Sequence, residues 1–423
     1  MSQPGARLRV VVLGLNYAPE EIGIGRYSTD MAVALAARGH QVEVIAGKPY
    51  YPQWRVPDTF RGGGWRRTVE SGVAIIRCPH YVPAEPQGFR RIIHLASFAL
   101  SALKPALSLP LRRREQRPQV VLCVAPALLS VPIAWLAARL SGAKLWVHVQ
   151  DFEVEAAFAT GLVRDRGIVA RMARAFENRV LALADRVSSI SPQMCARLVD
   201  KGVAPLQVVE IRNWADDSAA ALRDGNGAAF RAEWQLGDAH VALYSGNIAN
   251  KQGIEVVIEA ARVLASRADI AFVICGEGPN RSKLQAAAAG LTNVHFHPLQ
   301  PAARVAELLR LASVHLLPQL PGAADLVLPS KLTNMLASGR PVIATAASGT
   351  ALYDEVAGCG LCTDPGNGAA LAEAIVALVD DPAERERLGG EGRRRSAERW
   401  SREAIIGRLE SALMGLPEAA PVS

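Results

Sequence analysis

Lys251 and Lys331 each follow a short apolar run and stand where a helical pattern opens. The first turn reads Tyr244-Ser-Gly-Asn-Ile-Ala-Asn-Lys-Gln-Gly253, after which Ile254, Val257, Ile258 and Ala261 mark one helix face. The second reads Val327-Leu-Pro-Ser-Lys331, with Ser330 at the N-cap position and Leu332, Met335 and Leu336 opening a helix that ends before Gly339. The N-terminal end of a helix carries about half a positive charge, so a cation there is disfavoured by roughly 0.3–1 kcal/mol. A bound anion reverses the sign, because backbone N–H groups, dipole and ammonium all favour phosphate. One such lysine is an ordinary exposed cation, but two at strand ends of one half predict a diphosphate pocket. In the first half, Leu145-Trp-Val-His-Val-Gln-Asp151 is a strand that ends in polar groups. His148 and Asp151 at its carboxyl edge have the chemistry to orient or deprotonate a hydroxyl. Each also has a structural reading: His148 alternates with buried positions, and Asp151 is placed to cap a helix whose first turn holds Glu153 and Glu155.

A third constellation is Gly23-Ile24-Gly25, within NYAPEEIGIGRYSTDMA (Asn16 to Ala32). It lies between a β-branched run, Arg7 to Leu15, and a helix face formed by Tyr27, Met31, Ala34 and Leu35, with Gly39 ahead of a second strand at Gln41 to Ala46. A dinucleotide fingerprint needs G-x-G-x-x-G packed directly against the strand end. Here several residues intervene and no third glycine follows, so the loop suits a bulkier ligand.

The elements that hold these residues repeat along the chain. Strands are predicted at Val73 to Arg77, Val120 to Val124, Lys144 to Val149, Arg186 to Ile190 and Val208 to Ile211. A polar stretch, Trp214 to Ala229, interrupts the series, which restarts at His240 to Ser245, Ile270 to Cys275, Val294 to His297, Val314 to Leu317, Val342 to Thr345 and Leu361 to Thr363. Two doubly wound, Rossmann-like α/β domains in tandem are expected, a division that 423 residues also favour. Their ligands would lie beyond the carboxyl ends of the strands, in a cleft between the domains.

Half the residues are apolar, and 47 basic against 40 acidic side chains give a net charge of +7, too modest to argue for nucleic acid. The first ten residues lack the apolar stretch of a signal peptide, and six scattered cysteines do not suggest a disulfide framework, so a cytoplasmic location is expected. Cys359 and Cys362, and His295 and His297, read as core residues of strands; no metal site is expected. Segment 90–117 places an apolar stretch between Arg90-Arg91 and Arg112-Arg113-Arg114. His94, Lys104 and two prolines argue against a membrane span, leaving two readings: a helical pair or amphipathic helix whose basic rim meets anionic lipid, or a domain helix with a solvated basic end.

Taken together, YAPEEIGIGRYS, LAARGHQVEVIAG, HVQD, YSGNIANKQGIEVVIEA, CGEGP, LPSKL and ASGRPVIA resemble, in order, the motifs of the GT-B glycosyltransferases of family 4. PYYPQWRV, PHYVPAEP and GAADLVLPSKLTNMLASG are similar to those of the WcaI-type enzymes of colanic acid and related exopolysaccharide synthesis. The resemblance implies two Rossmann-like domains facing across a cleft: residues 1–213 on the acceptor side, 214–398 binding the nucleotide sugar, and a helix at 399–416, beyond the Trp400 segment, crossing back. It implies retaining, metal-independent transfer without a cofactor, from a nucleoside diphosphate sugar such as GDP-fucose. The acceptor would be a polyprenyl-diphosphate-linked saccharide, met at the inner membrane surface by a peripherally associated enzyme. His148, Asp151, Lys251 and Lys331 match the family's catalytic positions. Donor contacts would come from Gly23, Ile24 and Gly25, from Ser245, Gly246, Asn247 and Gln252, from Gly276, Glu277 and Leu299, and from Asp325, Ser330, Leu332 and Asn334. Many members carry two glutamates at positions that here hold Leu326 and Asn334. Asp325, beside the first position, is expected to substitute for it, and Asn334 retains the capacity to bond ribose hydroxyls. That departure motivates two alternatives, a non-catalytic nucleotide-sugar-binding partner and a sugar-nucleotide epimerase on the same fold.

Overall fold

The computed structural model describes residues 7–20, 23–85, 89–155, 167–214, 227–248, 252–320, 329 and 331–416. The chain forms two compact units. One runs to Arg212 and resumes at Ile406; the other spans Asn213–Ile405.

The first unit is built on eight strands: β1 (Arg9–Gly14), β2 (Gln41–Gly47), β3 (Arg66–Glu70), β4 (Val73–Cys78), β5 (Val120–Ala125), β6 (Lys144–Val149), β7 (Arg186–Ser189) and β8 (Val208–Glu210). They lie in the order β3-β4-β2-β1-β5-β6-β7-β8, all neighbours parallel except β3 and β4. Every residue of β5 (VVLCVA) is buried, as befits a parallel strand covered on both faces. The chain winds outward from β1 in both directions, so the switch in strand order falls between β1 and β5. There Gly14 pairs with Val124, and a Cβ on Gly14 would come within 3.3 Å of Val124 Cβ.

The second unit holds β9 (His240–Ser245), β10 (Ile270–Cys275), β11 (Val294–His297), β12 (Val314–Leu317), β13 (Val342–Thr345) and β14 (Gly360–Thr363), in the order β11-β10-β9-β12-β13-β14 and parallel throughout. This is the doubly wound arrangement, with its switch point between β9 and β12.

β3 lies outside the predicted set. Its sequence, RRTVE, is charged and mostly exposed, as an edge strand guarding against further pairing should be. The basic apolar segment is one helix, Phe89–Ser108, with Pro105 inside it, and among the described residues no helix is long and apolar enough to cross a membrane. Arg112, expected on its basic rim, instead pairs with Glu43 of β2 at 2.7 Å, a carboxylate that Arg67 also contacts at 3.1 Å. Trp400 is buried in the core of the second unit. The last helix, Arg402–Met414, brings Glu410 to Arg38 at 2.7 Å and His40 at 2.9 Å, ion pairs internal to the first unit.

Candidate active site

At the carboxyl edge of the second sheet, two turns interlock through their backbones. Gly246 follows β9 with φ of 133°, a conformation that favours glycine, and its N–H donates to Cys275 O at 2.9 Å. Ile248 N–H donates to Glu277 O at 2.8 Å in the turn after β10. A Cβ on Gly276 would lie 1.9 Å from Gly246 O, and one on Gly278 2.2 Å from Ile248 O. The glycines of CGEGP are therefore required by the approach of one turn to the other. Arg281 Nη1 secures the second turn by donating to Gly276 O, to His297 O at 3.0 Å and to Glu277 Oε1 at 3.1 Å.

Lys331 begins the helix Lys331–Ala337 and reaches over these turns. Its Nζ stands 4.1 Å from the centroid of the Tyr244 ring and 3.8 Å from where a Cβ of Gly246 would be. The Tyr244 hydroxyl donates to Asn247 O at 2.6 Å, holding the ring under the ammonium. Among the described residues Lys331 has no carboxylate partner. Burial pushes its ammonium from the ordinary 10.5 down to about 7, although the side chain as a whole keeps partial exposure. Two amide oxygens nearby in the chain, Gln252 Oε1 and Gln319 Oε1, are buried without partners. Gly253 packs against Leu320, bringing the segments after β9 and β12 together at the switch point. The two orphaned amide oxygens thus belong to the segments that follow β9 and β12, on the carboxyl side of the sheet where doubly wound folds take their ligands.

Other expected donor residues have different surroundings. Ser245 ends β9, and Leu299 follows β11 with 63% exposure. Leu332 is turned into the apolar core and its N–H donates to Pro329 O at 2.9 Å, so it serves packing rather than the crevice. Asn334 sits one turn on from Lys331, half-buried and partnered. Lys251, Asp325 and Ser330 lie outside the described residues.

Residues 23–214 match the family model "Glycosyl transferase 4-like domain", and residues 228–395 match "Glycosyl transferases group 1". Over 378 residues, 87% of this chain and 91% of the relative, the sequence is 40% identical to a protein named for colanic acid biosynthesis, the glycosyl transferase WcaI of Escherichia coli (strain K12). The chain belongs to this glycosyltransferase family. It is also 28% identical, across 96% of its length and 98% of the relative's, to a GDP-mannose-dependent alpha-mannosyltransferase of Mycolicibacterium smegmatis. A sucrose-phosphate synthase from Thermosynechococcus elongatus superposes with a TM-score of 0.68 at 19% identity, covering 96% of this chain and 98% of that one. WaaG, a glycosyltransferase involved in lipopolysaccharide biosynthesis, superposes with a TM-score of 0.61 at 17% identity, covering 96% and 99%. Those likenesses establish the pair of GT-B Rossmann-like domains.

In the first unit of the glycosyltransferase, the Gly23-Ile24-Gly25 step has an internal explanation. Gly23 takes φ of 64° to start the helix Ile24–Ala37, and a Cβ on Gly25 would fall 2.9 Å from Glu20 Cβ and 3.0 Å from its Oε2. Glu20 is buried, its Oε1 accepting from Tyr50 N (2.9 Å) and Tyr51 N (3.0 Å) and its Oε2 from Asn16 Nδ2 (2.8 Å). Burial raises this carboxyl above its usual range against the pull of those bonds. Glu20 thus ties the turns after β1 and β2 to the helix, a role the glycine pattern does not announce.

His148 is buried, with Nδ1 2.8 Å from Ser188 Oγ and Nε2 3.1 Å from Gln150 Nε2. Ser188 Oγ also accepts from Trp146 Nε1 at 2.8 Å. Burial pushes the imidazole down to about 4, so it is neutral at physiological pH. Asp151, half-buried and partnered, follows β6. Two positions on, Glu153 Oε2 accepts from Leu128 N at 3.0 Å while Oε1 is buried without a partner. Burial lifts this carboxyl to about 7, where it is suited to taking or giving a proton. Sequence reading placed Glu153 only as a helix-start residue; nothing in the pattern marks its burial. A further group missed in sequence is the ring cluster of Tyr50, Trp54, His80 and His94, with centroids 4.7 to 5.6 Å apart. His80 Nε2 and His94 Nε2 are both buried and unpartnered.

Proposed function

We propose that this glycosyltransferase moves a sugar, with retention, from a nucleoside diphosphate sugar to a lipid-linked saccharide in exopolysaccharide synthesis of the colanic acid kind. The observation that carries the reading is the Lys331 ammonium, which among the described residues has no carboxylate partner and stands over the turn that follows β9. A departing diphosphate supplies the missing charge there, and removing one such stabilising contact typically costs about 2.7–4 kcal/mol in the barrier. The relatives named for colanic acid synthesis and for GDP-mannose dependence favour a guanosine donor, GDP-fucose among them. Cationic stabilisation of the leaving group makes a metal-independent, cofactor-free reaction the simplest course. Front-face attack accounts for retention, the leaving phosphate oxygen taking the acceptor's proton. His148 and Asp151 are assigned to the acceptor side.

The acceptor's lipid calls for a membrane surface, and the first unit has side chains suited to it. Phe89, Ile92, Ile93 and Leu100 of the helix Phe89–Ser108 are exposed beside Arg90 and Arg91. Ile168, Val169 and Met172 of the helix Ile168–Leu181 are exposed around Arg171. Apolar residues among cations are the pattern of peripheral attachment to anionic lipid at the cytoplasmic face.

The test is transfer of radiolabelled sugar from GDP-fucose, GDP-mannose or UDP-glucose to a polyprenyl-diphosphate-linked acceptor in anionic vesicles, with and without chelator, followed by anomeric analysis. A donor that stabilises the protein thermally should be transferred with retention. Lys331→Ala should lower the rate at least about a hundredfold while the protein stays folded. Donor binding without turnover would favour the non-catalytic partner, the alternative that Asn334 in place of a glutamate motivates. A new nucleotide sugar formed without acceptor would favour the epimerase.

A further inference from the structure

The second unit carries another cationic centre, at the opposite end of its sheet. Pro341 immediately precedes β13, and its C=O accepts from His315 N of β12 at 2.9 Å, which places this segment at the amino ends of the two strands. A cavity of about 370 Å³ opens there, and its charged lining is Arg310, Arg340, Arg385, Arg393 and Glu386. Four guanidinium groups less one carboxylate leave a formal charge of +3.

Part of this clustering has a structural cause. Arg310 Nη1 donates to Ser338 O at 2.9 Å, and Arg393 Nη2 reaches the same oxygen at 3.4 Å. Arg385 Nη1 donates to Leu378 O at 2.8 Å and Val379 O at 2.9 Å, and Arg340 Nη2 lies 3.5 Å from Arg310 O. These carbonyls lie at or near the ends of the helices Lys331–Ala337, Gly368–Asp380 and Ala302–Leu311. A helix C-terminus carries about half a negative charge, so three of them offset roughly half of the excess. Among the described residues, Arg340, Arg385 and Arg393 have no carboxylate within 4.0 Å. Arg340 Nε is buried without any partner. Burial, and then the neighbouring Arg310 and Arg385, hold the Arg340 guanidinium below its ordinary range. Capping carbonyls explains single N–H groups; it does not explain collecting four forks around one hollow.

Planar guanidinium forks match phosphate oxygens in pairs, and the volume falls within the usual range for small-molecule sites. We propose that this cavity binds a compact phosphate-bearing anion of diphosphate charge, at a site separate from the crevice of Lys331. The helix that Lys331 begins is followed, after Ser338, by Gly339 and Arg340 of the cavity, so the two sites stand at its opposite ends, about 10 Å of helix apart. The ligand chemistry is shared by free inorganic diphosphate and by the diphosphate of a nucleotide.

Calorimetric titration of the full chain with inorganic diphosphate, and in parallel with GDP, tests this. In the Lys331→Ala protein, where the crevice is disabled, one diphosphate site should remain. Arg340→Gln with Arg393→Gln should weaken it at least about tenfold, as loss of charged hydrogen bonds does. Should that pair fail to fold, Arg385→Gln alone should weaken binding severalfold. Glu386→Gln should tighten it about threefold by removing an exposed opposing charge, a gain that a purely structural arginine cluster would not give. Tighter GDP binding identifies a nucleotide as the source; equal or weaker GDP binding identifies free diphosphate. Loss of all diphosphate binding in Lys331→Ala, or binding indifferent to Arg385→Gln and Glu386→Gln, overturns the proposal.

Discussion

Lys331 makes ligand binding measurable as a proton count. Burial lowers it from 10.5 to about 7, so holding the ammonium in the empty crevice costs up to about 5 kcal/mol, a ceiling because the side chain is only partly enclosed. The unfolded chain protonates this lysine more readily than the folded protein does. Its effect on stability is therefore most favourable above pH 10.5 and is lost as pH falls through about 7. A diphosphate beside the ammonium removes the penalty and returns the group to its usual range. At pH 8 only roughly a tenth of the empty sites are protonated and nearly all of the filled ones, so binding should take up about 0.9 proton per site. At pH 6 the same reckoning leaves about 0.1. The nucleotide's own terminal phosphate, with a pKa near 6, is already ionised at pH 8 and does not obscure the count. Titration of GDP into the protein in buffers of different ionisation enthalpy reads the uptake directly. Uptake under about 0.2 proton at pH 8, or uptake unchanged in Lys331→Met, would refute the assignment of this ammonium as the anion's partner.

Two further substitutions test the surrounding chemistry. Gly276→Ala should cost about 3 kcal/mol or more in a denaturant titration, because its Cβ would fall 1.9 Å from Gly246 O and backbone cannot yield as a side chain can; a loss under about 1 kcal/mol would contradict the interlocked turns. Glu153, raised to about 7, favours the folded state fully below pH 4.5 and loses that contribution as pH rises through 7. Glu153→Gln, which mimics the protonated form, should match wild type in stability near pH 4 and exceed it at pH 8 by up to about 3 kcal/mol; a difference independent of pH would show that the carboxyl is not perturbed.

Legibility of the fold followed burial. β5 and β10 are covered on both faces, so each is an unbroken apolar run that needs no periodicity to be recognised. β3 contributes mainly its backbone, pairing antiparallel with β4 through residues whose side chains face water, and so carries no hydrophobic signature. The segment from Phe89 could be read as a span, a helical pair or a surface helix because composition does not say how much of its apolar surface a neighbour covers. In the structure His94, Phe98, Ala102 and Ala106 are buried while Phe89 and Leu100 are not. Arg112 shows the converse limit, since its partner Glu43 is brought from 69 residues away by the pairing of strands.

The same distinction decides what the site residues mean. A glycine in sequence announces that something comes close to its backbone, without saying what. At Gly25 the neighbour is Glu20, and at Gly276 it is Gly246; both requirements are met inside the fold, and neither needs a ligand to explain it. His148 has neighbours on both ring nitrogens and is equally well accounted for by packing. Lys331 differs because the described fold gives it an aromatic face and no counter-charge, leaving a protonation cost that an anion removes. Function is therefore marked less by motifs than by groups whose electrostatic needs remain open after folding. By that measure, Lys331 and the Arg340 cavity carry more weight than the glycine loop, and Glu153 more than His148.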